Sequence, residues 1–224
     1  MVLGIGPKIP LVVLAFVAGS LSILMLLAYL QPPPITPAEQ LLYAASHRGT
    51  YALFASVVLA WAVFSVPLAS ILAKLLRAKG SALASAAQLL VAVGVLLLGF
   101  GIFMHIGALL SILEAGAPPS AADATYQAAI WYSLSFYLTD PGLMAWGLGQ
   151  FLFGWLAWRS GVLPNWVALV GIVGGVAGLL TLAVYQSGVL GLVQIICFAV
   201  WGFATGLSLL RSRQATSLVG SGAA

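Results

Sequence analysis

KLLRAKGSALASAAQLLVAVGVLLLGFGIFMHIGALLSI, residues 74–112, opens with three basic residues, Lys74, Arg77 and Lys79. It then runs from 83 to 112 without a single Asp, Glu, Lys or Arg. A membrane-spanning helix needs roughly 20 such residues, and a basic cluster beside one marks its cytoplasmic border. This stretch therefore predicts a helix that crosses a membrane, with its start held on the cytoplasmic side.

The same pattern repeats in both directions. Further apolar runs lie at 10–30, 50–73, 141–158, 165–185 and 188–210, which makes six spans. The chain is 62% hydrophobic and 5% charged over 224 residues. A soluble domain carries about a quarter charged residues, so lipid is the solvent that this composition fits. The expected fold is all-α: a polytopic membrane helical bundle of six transmembrane helices with one or two short outer interfacial helices. Residues 1–213 form one transmembrane domain, and the Ser, Gly and Ala-rich 214–224 are expected as a disordered tail. The run after Lys8 has no small-residue cleavage site behind it and reads as a retained first span.

Charge placement supports the count. With the N-terminus inside, Lys8, Lys74, Arg77, Lys79, Arg159, Arg211 and Arg213 fall on the cytoplasmic side, and Arg48 alone falls outside. Glu39, Glu114, Asp123 and Asp140 also fall outside. Both termini are thus placed in the cytoplasm, with the chain in the plasma membrane. The net charge of +4 is spread between apolar runs and is not the clustered patch of a nucleic-acid binder. The lone Cys197 excludes an intramolecular disulfide and a cysteine metal motif.

Two outer connections carry helix signals. Thr36-Pro37-Ala38-Glu39 is a capping box with proline at the first helical position, predicting a helix over about 37–47 with Gly49 as a stop. Ser120 to Asp123 is a second N-cap pattern. It opens 121–138, where Tyr126, Ile130, Leu134 and Tyr137 recur at helical spacing. This segment is expected to lie along the outer leaflet, with Asp140-Pro141 starting the fourth span. The competing reading is a longer, kinked span from near Thr125. Tyr29, Tyr43, Tyr51, Tyr126, Trp131, Tyr132, Tyr137 and Tyr185 mark the outer border, and Trp155, Trp158 and Trp166 the cytoplasmic one.

Helices in lipid associate through close backbone approach and interhelical hydrogen bonds. Gly171, Gly174, Gly175 and Gly178 make two overlapping GxxxG pairs, and Gly202 and Gly206 a third. They are packing surface within the chain or a homodimer face. Pro67, inside the second span, frees the Val63 carbonyl and is the candidate hinge.

No catalytic, metal or nucleotide motif is present, and no Asp, Glu, Lys or Arg lies mid-span. This weighs against a carboxylate proton relay, a voltage sensor and a lysine Schiff base. The candidate ligand-binding residues are His105, Gln150 and Gln194, with Gln88 nearer the cytoplasmic end. His105 reads either as a haem, metal or quinone ligand or as a histidine bonded to a neighbouring helix. A bis-histidine haem would need His47, which lies too shallow. A metal set of His47, His105, Glu114 and Asp140 is conceivable by side but is not required by spacing.

Residues 152–166, LFGWLAWRSGVLPNW, with the glycine-rich run to Gly178, resemble a prokaryotic six-span membrane family catalogued as domain of unknown function 4386. The likeness covers about 141–185. It implies the six-span fold and no activity. The functional expectation is a non-enzymatic integral membrane protein that binds a partner subunit or a hydrophobic small molecule (lipid, quinone or pigment) in its bundle. The alternatives are a transporter or channel for a small neutral solute, and a redox protein with a ligand at His105.

Overall fold

The computed structural model describes residues 8–29, 36–77, 80–116, 118, 121–183 and 188–221. Lys79, Ser120, Tyr185, Gln186 and Ser187 lie outside the described residues, as do the side chains of Lys8, Tyr29, Arg211 and Arg213. Among the described residues there are helices and no strands. In chain order they are α1 (Lys8–Tyr29), α2 (Pro37–Ser46), α3 (Arg48–Leu76), α4 (Ser81–Glu114), α5 (Ala122–Ser160), α6 (Asn165–Ala183) and α7 (Gly188–Ser221). Three stretches are long and apolar enough to cross a membrane: Arg48–Leu76, Ser81–Glu114 and Val189–Ser208. Val12–Leu24 and Asn165–Thr181 are shorter apolar helices. The second half of α5 carries Trp146, Gln150, Trp155 and Trp158 among its leucines, and these lower its hydropathy.

The long helices form a closed cycle. α1 packs on α3, α3 on α4, α4 on α5, α5 on α6, α6 on α7, and α7 returns to α1. Neighbours run antiparallel, and small residues let their backbones approach closely. A methyl built on Gly142 of α5 would lie 2.8 Å from the Leu98 nitrogen of α4, and one on Gly101 3.1 Å from the Ser135 oxygen of α5. On the other face of α5, Gly154 meets the Ile172 nitrogen of α6 at 2.7 Å by the same measure. Gly202 of α7 meets the Ala15 oxygen of α1 at 3.1 Å, closing the cycle.

The axis of this ring is filled by aromatic rings. Trp61 of α3 and Trp146 of α5 meet edge to face at 4.9 Å. Phe198 of α7 touches both, at 5.9 Å and 5.1 Å. All three are buried. Trp61 Nε1 donates to Ser22 Oγ of α1 at 3.1 Å, and that hydroxyl donates to the Ala18 carbonyl at 2.8 Å.

A second, smaller core lies at one end. Leu41 and Ala44 of α2 pack with Leu109, Ile112 and Leu113 of α4 and Ala124 and Ala128 of α5. α4 and α5 have 34 and 39 residues against 19 in α6. At about 1.5 Å per residue they are longer than it by roughly 22 and 30 Å, and α2 packs on that overhang. Charges divide by end: Lys74, Arg77 and Arg159 lie at the far end, while Arg48, Glu39, Glu114 and Asp123 lie at the α2 end.

Helix α2 matches its sequence signal. Thr36 Oγ1 accepts from the Glu39 N–H at 3.3 Å, and Glu39 Oε2 accepts from the Thr36 N–H at 2.9 Å. The stop differs. His47 is the C-cap, its ring stacked on Tyr43 at 4.2 Å, and Gly49 lies within α3. A larger difference concerns 121–138. It is not a separate helix, because α5 continues from Ala122 through Pro141 to Ser160. A proline removes one backbone hydrogen bond. Gly101 against Ser135 and Leu98 against Gly142 grip both sides of it, so the two halves stay one element. In extent, this continuous helix agrees with the competing reading that joins the segment from near Thr125 to the run after Pro141. The N-cap of α5 is Ala121, without a side-chain bond. α7 continues to Ser221.

Candidate functional site

His105 lies on α4 two turns beyond Leu98, near the junction of ring and overhang. Its Nε2 is 2.9 Å from the Gln40 Oε1 of α2. An amide oxygen only accepts, so Nε2–H donates and the neutral ring carries a bare Nδ1. That Nδ1 is buried and has no partner among the described residues. The ring also faces Tyr132 of α5 at 5.5 Å, and Tyr132 meets Phe136 edge to face at 4.7 Å. His105 thus ties α2 to the bundle. Among the described residues, no three of His, Cys, Asp or Glu come together, so His47, His105, Glu114 and Asp140 do not assemble.

Gln150 and Gln194 come together around α6, away from His105. A methyl on Gly174 would lie 2.5 Å from Gln150 Nε2 and 2.6 Å from the Cys197 Cβ. One on Gly178, a turn further, would lie 2.5 Å from Gln194 Nε2. One on Gly171 would lie 2.9 Å from Trp201 Nε1. The bare glycine face of α6 makes room for two amides and an indole, while Gly175 packs on the backbone of Phe151. Gly206 takes the ring of Phe16 of α1.

These polar groups are buried and only partly satisfied. Gln194 Nε2 donates to the Leu143 carbonyl at 3.4 Å. Among the described residues, Gln194 Oε1, both amide atoms of Gln150, Trp146 Nε1, Trp201 Nε1 and Thr205 Oγ1 have no partner. Gln150 is 1% exposed and Gln194 0%. A buried unpaired polar group costs about 1–3 kcal/mol, so native chains keep few of them. Along the glycines of α6 lie the donors of Gln150 and Trp201 and the amide oxygens of Gln150 and Gln194, while the Trp146 indole lies with Trp61 and Phe198 on the ring axis. Carbonyl or hydroxyl oxygens are the groups that such donors would pair with.

Gln88, by contrast, is spent on structure: its Nε2 donates to Ser70 Oγ of α3 at 3.1 Å. The sequence reading did not single out Trp61, Trp146, Phe198, Trp201 or Thr205. A signal was present. Trp155, Trp158 and Trp166 sit at helix ends and are 43%, 44% and 56% exposed. Trp61, Trp146 and Trp201 lie mid-helix, where a border role cannot explain them and each N–H needs an acceptor.

Fold and site together define an all-helical protein with membrane-capable helices and a polar seam buried inside its ring. The chain belongs to the family described as Domain of unknown function (DUF4386), whose model matches residues 11–211. The match extends far beyond the 141–185 stretch that carries the resemblance. No curated protein and no solved structure matches the chain.

Proposed function

We propose that the chain is a non-enzymatic integral membrane protein of six spans, α1 and α3 to α7. It holds a hydrophobic small molecule with carbonyl or hydroxyl groups, such as a lipid or quinone, between α5, α6 and α7. The basic end faces the cytoplasm of a prokaryotic cell with both termini, and α2 lies on the outer side. One observation carries the ligand: the amide of Gln150 is fully buried with neither atom paired, beside the unpaired Gln194 Oε1 and Trp201 Nε1. A ligand oxygen accepting from Gln150 Nε2 or an indole N–H would remove the desolvation cost of that unpaired donor. The transporter alternative is less favoured, because Trp61, Trp146 and Phe198 close the ring axis. A homodimer through the α6 glycines is also less favoured, since Gly171, Gly174, Gly175 and Gly178 already face atoms of their own chain.

The test is mass spectrometry of small molecules extracted from protein purified in mild detergent, with absorption spectra before and after reduction. A single species near one per chain is expected, absent from Gln150→Leu and reduced in Gln194→Leu. Both variants should fold, because an apolar side chain replaces the unpaired amide of Gln150 and Gln194→Leu gives up only the long bond to the Leu143 carbonyl. A wild-type chain that carries only bulk lipid, or a Gln150→Leu chain that keeps the species, would defeat the reading.

A further inference from the structure

The α5–α6 turn and α7 form a groove of about 630 Å³ at the basic end. Its walls are Val162, Leu163, Pro164 and Trp166 on one side and Ala204 and Leu207 on the other. Asn165 and Ser208 are the polar residues in its lining.

Local sequence builds this turn as a fixed shape. Gly161 ends α5 in the left-handed region, φ 64°. Ser160 Oγ donates to the Ala157 carbonyl at 3.1 Å and accepts from the Val162 N–H at 3.3 Å. The Pro164 carbonyl accepts from the Val167 and Ala168 N–H groups, starting α6. Arg159 stands two residues before the groove wall and is exposed. It is joined at this end of the bundle by Lys74 and Arg77, with no acid among the described residues there. Exposed Trp158 and Trp166 flank it. An apolar slot, a cation and two indoles at one depth match a chain, an anionic headgroup and the headgroup boundary.

We infer that this groove binds one anionic phospholipid. Its acyl chain lies between Leu163 and Leu207 and its phosphate lies at Arg159. The inference rests on the membrane placement proposed above and is independent of the ligand between α5, α6 and α7. Phosphatidylcholine shares the chains and phosphate but adds a cation, so the Arg159 guanidinium selects against it.

The chain in nanodiscs of phosphatidylcholine is titrated with phosphatidylglycerol, and retained lipid is counted by native mass spectrometry. One phosphatidylglycerol per chain is expected to resist exchange. Arg159→Gln should weaken its retention about five-fold, and Lys74→Gln, away from the groove, should not. Ser208→Phe, which fills the slot, should remove it while the helical circular dichroism stays unchanged. Equal retention of the two lipids, or an Arg159→Gln chain indistinguishable from wild type, would overturn the inference. So would competition by soluble glycerol phosphate, which would mark a free-phosphate site instead.

Discussion

At Gly174 and Gly178 a single added methyl would occupy the space of an amide, since Gln150 Nε2 and Gln194 Nε2 each lie 2.5 Å from where it would sit. Gly174→Ala and Gly178→Ala should therefore push the glutamines out of the seam. Overpacking of this kind costs about 1–3 kcal/mol, to be read as a lower midpoint in detergent unfolding. The same two variants should lose any extracted small molecule. Gly49→Ala and Gly107→Ala are the controls, because nothing lies within 4 Å of either added methyl, and alanine in a helix is neutral to favourable. Equal effects at all four positions would mean that the glycines act through helix propensity and not through the amides.

The element scale concerns α2 and α5. α2 is held by its capping box, by Leu41 and Ala44, and by the bond from His105 to Gln40. Thr36→Ala should weaken it by about 1 kcal/mol, seen as faster amide hydrogen exchange in 37–46 with the ring unaffected. In α5, Pro141 lies inside a continuous helix. Pro141→Ala restores an N–H facing the Tyr137 carbonyl, so the thermal midpoint should rise. If Pro141 began a separate span, the same change would remove a favoured first residue, and the midpoint would fall.

Across the whole molecule, the ring depends on its aromatic centre. Trp61→Ala should cost about 3–5 kcal/mol, as large-to-small core changes do. Trp61→Phe, which loses chiefly the bond to Ser22, should cost about 1 kcal/mol. Similar costs for the two would mean that the hydrogen bond, and not the packed triangle, holds the centre. The proposed orientation is tested in a Cys197→Ala background. Asp123→Cys should react with an impermeant maleimide in intact cells, and Ala82→Cys only after permeabilisation. The opposite pattern would invert the topology.

The sequence by itself determined the helical class, the apolar helices, the charge division between ends and the α2 capping box. Each is local: the length of an apolar run, the residues beside it, or a bond between Thr36 and Glu39 three positions apart. It also picked out Gln150, Gln194 and the α6 glycines one by one, because amides and glycines in apolar runs are visible without a fold. Only the tertiary structure decided that α5 passes through Pro141, since that depends on α4 packed along both of its halves. It alone tied His105 to a residue 65 positions away, and set the two glutamines against Gly174 and Gly178. It alone brought Trp61, Trp146 and Phe198 into one triangle from three helices. Which faces meet is set by side-chain fit between distant segments, and no period within one helix records it.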